Sequence, residues 1–485
     1  MGRSIVIIAA GAGSRIESLR GDLPKPLVRL CGLSLIERSI KSAKRKGFDH
    51  FVIVVGYQAD QIKSHLGNGK AFGVSIDYVH NDMWQKKNGL SLLQAKDAIA
   101  GDEFVLLMSD HVLDQAFFEK IRQVDLQDDQ LVLLTDAKIN QIFDIEDATK
   151  VQTHDGYITN IGKEIESFSC IDTGVFVIAK SFFDILASKF QENGDFSLSE
   201  GVFELVANKK ARVFDIGDLW WQDVDTPETF RHAEKTLLRK QIKPTDVFVS
   251  RYLNRPISLF FSRYLLRTSI TPNQATYISM LSGLISPLFL IQGTYWGFLT
   301  GVFFYHMASV LDGCDGEIAR LTMKESVGGE WVDTIIDNLT HLFFVGGLSY
   351  GLYKSTQAVW PFAFGLLASV SIIGVLWIMF RYIHKQGRGT LLAFDKGFEE
   401  DVQGQKDFWT KAALLLKPLV RRATYVFIFL ILAVFGQAKL VLVIMSIAPF
   451  IALILILKSL KGAVTGAKDH AQDKCHSESK LVAGD

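Results

Sequence analysis

Cysteine is scarce in this 485-residue chain: Cys31, Cys170, Cys314 and Cys475 are scattered, with no CxxC and no metal-ligand spacing. That argues against a disulfide framework and suits reduced thiols on a cytoplasmic face. Net charge is absent as well, 52 basic side chains balancing 52 acidic ones, so no global field recommends a nucleic acid as partner. The start does not read as a charged n-region with a cleavage site; after Met1 to Arg3 comes SIVIIAAGAGSR, a strand running into a glycine loop. The N-terminal part is therefore expected to stay in the cytoplasm. Apolar runs long enough to cross a bilayer are missing up to about residue 240 and recur beyond about 270.

What is present reads as two parts. Short apolar runs at 5–10, 51–56 and 104–108 suit strands buried on both faces of a parallel sheet, and helical stretches at 35–46 and 89–100 alternate with them. This pattern predicts an α/β Rossmann-like domain over residues 1–235, with ligands at the carboxyl ends of its strands. Residues 236–270 read as a linker and a juxtamembrane amphipathic helix, where Arg251, Arg255, Arg263 and Arg267 stand among Leu, Ile and Phe. Residues 271–462 read as an all-α, six-helix transmembrane domain with spans near 272–291, 295–313, 329–352, 358–381, 422–437 and 439–458, and 463–485 as a polar tail. Basic residues collect in alternate loops, at Arg320 and Lys324, at 381–422 and at 458–474. The positive-inside rule then predicts a multi-pass protein with both termini in the cytoplasm.

The first chemical motif is Ala9-Ala10-Gly11-Ala12-Gly13-Ser14-Arg15, followed by Pro24-Lys25-Pro26-Leu27. Gly11 and Gly13 would let backbone N–H groups approach phosphate, and Arg15 and Lys25 can neutralise charge developing on an α-phosphate during nucleotidyl transfer. Together the two segments resemble the signature of the sugar-phosphate nucleotidyltransferases, over most of residues 3–235. The resemblance implies that Asn88 and Ser91, in Asn88-Gly89-Leu90-Ser91, help to hold base and ribose. It implies one Mg²⁺ between Asp110 and Asp223, with Asp225 replacing or assisting Asp223. Lys163 and Asp172 match acceptor-contacting positions, although Lys163 also reads as a solvated surface lysine.

The second motif is Asp312-Gly313-Cys314-Asp315-Gly316-Glu317-Ile318-Ala319-Arg320, then eight residues, then Gly329, Asp333 and Asp337. Spacings of three and four put each aspartate pair on one helical face. Within an apolar span a carboxylate costs at least ~2.5 kcal/mol near the bilayer centre unless it is paired or metal-bound. Four such ligands suit Mg²⁺ or Mn²⁺, in one ion or two, clamping a diphosphate. Gly316 and Ala319 keep the face small beside a nucleotide, and Arg320 can answer phosphate charge. The string resembles, without a gap, the CDP-alcohol phosphotransferase pattern. That resemblance implies Asp337 as general base, Asp312, Asp315 and Asp333 mainly as metal ligands, and a dimer through the membrane domain. Arg255-Pro256-Ile257-Ser258 and Thr271-Pro272-Asn273 also resemble the family's segment before the first span. Arg381, Lys385 and Arg388 read either as membrane anchors or as an anion site.

The order of the two parts resembles one fused family over nearly the full length, a CTP:inositol-1-phosphate cytidylyltransferase joined to a di-myo-inositol-phosphate-phosphate synthase. It implies CTP and inositol-1-phosphate as substrates, CDP-inositol as intermediate and a second inositol-1-phosphate as acceptor. Only 21% of the residues are charged, and glutamine is common, which is not a hyperthermophile composition. Another polyol or a lipid acceptor therefore stays open. A single working site, the other being a binding remnant, is opposed by the intact Lys25, Asp110, Asp223 and four motif aspartates. A transporter would leave both motifs unexplained.

Overall fold

The computed structural model describes residues 3–386, 421–454 and 456–457. The expected tail 463–485, Arg388 and Cys475 lie outside the described residues. The chain divides into two compact units, Met1–Arg239 and Lys240–Asp485.

In the first unit a nine-stranded sheet is built around Ser4–Ala9. This strand pairs in parallel with His50–Val55 on one side and with Glu103–Met108 on the other, and His50–Val55 pairs in parallel with Ser75–His80. The apolar runs seen in the sequence are these strands. Ile5 and Ile7 pack into a core on one face with Phe51 and Ile53, while Val6 packs with Val52 and Val54 on the other. Alternation along a strand buried on both sides explains why the run lacks polar gaps. The chain moves outward from Ser4–Ala9 and then returns to its opposite side, so the strand order reverses between Ser4–Ala9 and Glu103–Met108. A crevice for ligands is expected at the carboxyl ends of those two strands.

The other half of the sheet is mixed, with Cys170–Ala179 antiparallel to both Glu103–Met108 and Leu131–Asp136. A bulge between Asp172 and Val175 interrupts the second pairing. The helix expected from 35 runs over Leu35–Arg45, started by a capping box of Ser34 and Glu37. The one expected at 89–100 is shorter, Asn88–Leu93. A tighter turn at Lys96–Ala98 replaces its second half and delivers Ile99 to the core.

The second unit is helical, with long helices Pro272–Leu290, Tyr295–Leu321, Val327–Thr356 and Trp360–Gln386, and shorter apolar ones at Arg422–Val434 and Ala438–Ile454. Thr271, Thr294 and Ser326 each cap the helix that follows by accepting a backbone N–H. Helices thus occupy all six stretches expected to span. Among the described residues only Trp360–Arg381, with a mean hydropathy of 2.3, is long and apolar enough to cross a membrane on those grounds alone. The helices pack through small residues: a methyl group on Gly351 would lie 2.0 Å from the carbonyl oxygen of Leu290.

The expected amphipathic segment contains the helix Arg255–Leu265. Its small polar residues Ser258 and Ser262 are buried, whereas Phe260 and Tyr264 are exposed. Polar side in and aromatic side out is the reverse of a surface helix on a water-soluble protein.

Candidate active sites

Around the reversal point of the sheet, a small apolar cluster holds the polar residues in place. Ile16, Val28, Val112 and Val224 pack together in it, fully or almost fully buried. Each lies one to three residues from a candidate: Arg15, Lys25, Asp110, and the pair Asp223 and Asp225. Val224 points inward, so the aspartates on either side of it project the other way. A two-stranded ribbon, His111–Leu113 with Trp221–Asp223, sets His111 opposite Asp223, and the Val224 N–H donates to the Asp110 carbonyl at 3.0 Å. This ribbon brings distant stretches of the chain to one place.

Gly13 has φ +62°, and a Cβ there would lie 2.5 Å from the Lys25 Cβ. Glycine is thus required by the turn and by the approach of Lys25. Lys25 is buried, and its Nζ donates to Asp110 Oδ2 at 2.6 Å and also to Asp225. Arg15 donates to Asp225 and, at 2.5 Å, to Asp147 Oδ2; Lys163 donates to the other oxygen of Asp147 at 2.6 Å. Cations and carboxylates therefore alternate across the site.

Burial alone would push Asp110 up, but Lys25 and the neighbouring His111 outweigh it and hold the carboxyl well below its usual range. His111 is driven down by burial, but Asp110, with Asp223 and Asp172 behind it, more than offsets this, so it ends raised. Asp223 is raised by burial, with Asp225 and Asp110 adding to the rise and His111 opposing it. Asp172 sits at the sheet bulge, accepts the Gly174 N–H at 2.7 Å and is pushed up to about 6 by burial, which that bond and His111 only partly oppose.

The metal pairing expected from sequence was Asp110 with Asp223. Carboxylate oxygens of Asp147, Asp223 and Asp225 lie within 4.8 Å of one another, and Asp110 joins this group through the shared Lys25. A divalent cation with oxygen ligands fits such a donor set. Asn88 and Ser91 make their bonds elsewhere: Asn88 Oδ1 accepts the Leu198 N–H at 2.9 Å, and the buried Ser91 accepts from Asn81 at 2.9 Å. Asp147 and His111 were not anticipated. Asp147 lies in a loop without periodicity, and its role appears only when the fold carries it to Arg15.

In the helical unit, Asp312 on Tyr295–Leu321 meets Asp333 and Asp337 on Val327–Thr356, and their carboxylate oxygens lie within 4.8 Å of one another. Asp315 is the outer member, accepting from Thr276 at 2.6 Å and from the Gly316 N–H. Asp333 Oδ1 is buried and has no hydrogen-bond partner among the described residues. An orphaned carboxylate oxygen beside two other carboxylates fits a divalent cation. Arg422, the first residue of Arg422–Val434, ion-pairs with Asp337 and, at 3.2 Å, with Asp312. One turn further, the Tyr425 hydroxyl donates to His341 Nε2, because His341 Nδ1 is committed as donor to the Asp337 carbonyl at 2.6 Å. Arg422 was read from sequence only as part of a basic loop.

The remaining positions of the motif divide between site and scaffold. Gly316 lies under the Arg320 guanidinium, 3.1 Å from where a Cβ would be, and Arg320 Nε donates to Gln241 at 2.9 Å. Ala319 is on the same helix, partly buried. Glu317 is fully buried and accepts from Arg255 at 2.8 Å and from Ser258 and Ser262 at 2.6 Å each. Residues 255, 258 and 262 share one helical face, so the Arg-Pro-Ile-Ser segment is the clamp that seats Arg255–Leu265 against Tyr295–Leu321.

Comparison with known proteins divides the chain in the same way. Residues 4–240 match the nucleotidyl transferase family model, and residues 269–457 match the CDP-alcohol phosphatidyltransferase model. A protein of Aquifex aeolicus described as a bifunctional IPC transferase and DIPP synthase is 35% identical over 376 residues, 77% of this chain and 83% of that one. Proteins of the same description from Archaeoglobus fulgidus and Thermococcus kodakarensis are 36% and 35% identical, covering 74% and 76% of this chain and 68% and 80% of theirs. The solved inositol-1-phosphate CTP transferase from T. maritima is 27% identical, with a TM-score of 0.43, over 48% of this chain and 95% of that one.

Proposed function

The chain belongs to the bifunctional IPC transferase and DIPP synthase family, and from that premise we propose the two reactions below. It is an enzyme that joins a nucleotidyltransferase to a CDP-alcohol phosphotransferase. In the first reaction a phosphate oxygen of inositol-1-phosphate bonds to the α-phosphorus of CTP, and the bond to pyrophosphate breaks, giving CDP-inositol. In the second, a hydroxyl of another inositol-1-phosphate bonds to the inositol-bearing phosphorus of CDP-inositol, and CMP leaves.

The observation that carries this reading is the convergence of Asp312, Asp333 and Asp337 within 4.8 Å in a motif whose spacing was already that of a phosphotransferase. Mg²⁺ or Mn²⁺, held by Asp110 with Asp223 or Asp225 in one unit and by Asp312, Asp315, Asp333 and Asp337 in the other, would supply charge withdrawal from phosphate oxygens. Gly11 leaves room for the triphosphate, Gly13 lets Lys25 approach, and Lys25 and Arg15 take up charge at the α-phosphate by exchanging carboxylate partners for phosphate. Asn88 and Ser91 lie on the base side, and Lys163 and Asp172 on the acceptor side. Asp337 takes the proton of the attacking hydroxyl, with Asp312, Gly316, Ala319 and Arg320 beside the nucleotide.

The helical unit lies in the bilayer as six spans, both termini and both sites face the cytoplasm, and the protein is a dimer through this unit. Leu366, Val370, Ile373 and Trp377 support the membrane part: they are exposed on one face of Trp360–Gln386, where lipid would cover them. The composition, poor in charge, favours as second reading a lipid or another polyol as final acceptor.

Purified protein given CTP, Mg²⁺ and inositol-1-phosphate should release pyrophosphate and CMP. Lys25→Ala should slow pyrophosphate release by about 10²–10³-fold. Asp337→Asn should leave it intact and slow CMP release by about 10²–10⁴-fold. Normal CMP release by Asp337→Asn would sink the assigned mechanism, and label recovered in a lipid extract would replace the soluble acceptor.

A further inference from the structure

The helical site contains four carboxylates and a cation that the motif does not include. Asp312 and Asp337 both face one guanidinium nitrogen, Nη1 of Arg422, while Asp333 Oδ1 has no partner among the described residues. The oxygens that Arg422 holds belong to two of the three residues whose carboxylates converge within 4.8 Å. We propose that Arg422 is the countercharge of the metal-free site, holding Asp312 and Asp337 together until a divalent cation takes the same oxygens and displaces it.

Three features support an exchange rather than a shared site. Mg²⁺ binds carboxylate oxygens at about 2.0–2.1 Å and Mn²⁺ is similarly demanding, so a cation among these oxygens would stand within a few ångströms of the guanidinium. Repulsion between a single and a double positive charge at that separation is large wherever water is excluded. The Arg422 Nε is buried without an acceptor among the described residues, so the side chain is not locked by a second bond. Its helix, by contrast, is tied one turn on by Tyr425 to His341, so the arginine can leave by a change of rotamer while the helix stays. Arg422 acts through the aspartates and is a positioning residue.

The inference rests on reading the aspartate cluster as a cation site, and its test separates the two. Mn²⁺ binding is measured by the electron-spin signal of free Mn²⁺ on the full chain in detergent, with Asp110→Asn and Asp223→Asn silencing the soluble unit. If this parent binds no Mn²⁺, or if adding Asp333→Asn changes nothing, the cation site itself is wrong. If the parent binds, Arg422→Gln should bind at least about tenfold tighter, because the competing charge is gone. Equal or weaker binding overturns the inference. The melting temperature gives an independent reading: in chelator Arg422→Gln should melt below the parent, and saturating Mn²⁺ should raise it by more than it raises the parent. An Arg422→Gln chain that Mn²⁺ fails to stabilise also overturns it.

Discussion

Asp110, Asp147 and Asp225 stand among Lys25, Arg15 and Lys163, so the soluble site is close to charge balance before any ligand enters. Of Asp312, Asp315, Asp333 and Asp337 only Asp312 and Asp337 have an ion-pair partner among the described residues, and it is the same Arg422, so the helical site is short of positive charge. Both sites handle nucleotide phosphates in the functional reading, yet they reach phosphate by different routes. A balanced site offers its cations to the triphosphate by partner exchange and can be ordered without metal. A deficient site is completed by a cation, and until then its carboxylates stay together through the helices that carry them and through the single guanidinium of Arg422. The difference follows from the scaffold: loops at strand ends can gather Lys and Arg from several places, whereas an apolar helix pair has few positions where a cation is tolerated.

The largest effect expected from this contrast lies within the helical unit, between carboxylates on Tyr295–Leu321 and Val327–Thr356. Glu317 has every oxygen satisfied by Arg255, Ser258 and Ser262, while Asp333 keeps a buried oxygen without a partner. On the proposed function the first is a structural carboxylate and the second a metal ligand. Glu317→Ala leaves Arg255 with Asp246 as its remaining carboxylate, strips the buried Ser258 and Ser262 of their shared acceptor, and should cost about 3–5 kcal/mol. Asp333→Asn should leave the melting temperature in chelator unchanged or raise it, because it removes self-repulsion. Melting curves in detergent test the pair, and a large loss for Asp333→Asn would erase the distinction between a balanced and a deficient site.

The same contrast explains what could be read from sequence. Asp312, Asp315, Asp333 and Asp337 were legible because helical geometry is periodic, so spacing alone predicts which side chains share a face. Gly13 and Lys25 were legible as a motif, and the apolar strand at Ser4–Ala9 as a buried centre. Asp147 was not, since its loop has no period and its partners Arg15 and Lys163 are distant in the chain. Arg422 was hidden for another reason: a basic residue at a helix start near a membrane is what topology requires anyway. Glu317 occupies a motif position that carries no identity requirement, and the buried seat of Arg255–Leu265 became visible only with the fold. The antiparallel half of the sheet was missed as well, because its strands are interrupted by bulges such as that at Asp172.

Asp172 is an exception within the balanced site, a half-buried carboxyl with a backbone donor but no ion-pair partner among the described residues, pushed up to about 6. A carboxyl whose pKa is higher folded than unfolded keeps its proton longer in the folded state. Its contribution is therefore greatest below the ordinary carboxylate value near 4, and is lost as pH rises to about 6. Asp172→Asn should lose less stability than the wild type over that window. Identical pH profiles of the soluble unit's unfolding would mean that Asp172 titrates alike in the folded and unfolded chain, and would remove the exception.

The smallest effect concerns Asp147, which has two possible duties: neutralising Arg15 and Lys163, or ligating metal with Asp223 and Asp225. Arg15 and Lys163 are about half exposed, so their pairs add no more than about 1 kcal/mol to stability, and Asp147→Asn should hardly change the melting temperature. Kinetics separates the duties. If Asp147 only balances charge, its removal frees two cations for phosphate, and the KM for CTP or for the polyol phosphate should fall by about two- to fivefold at unchanged Mg²⁺ requirement. If it is a ligand, the Mg²⁺ concentration for half-maximal pyrophosphate release should rise while both KM values hold. The first outcome keeps the soluble site as a set of exchangeable ion pairs. The second would make it, like the helical site, a carboxylate cluster completed by metal, and the comparison between the two would then rest on the number of cations alone.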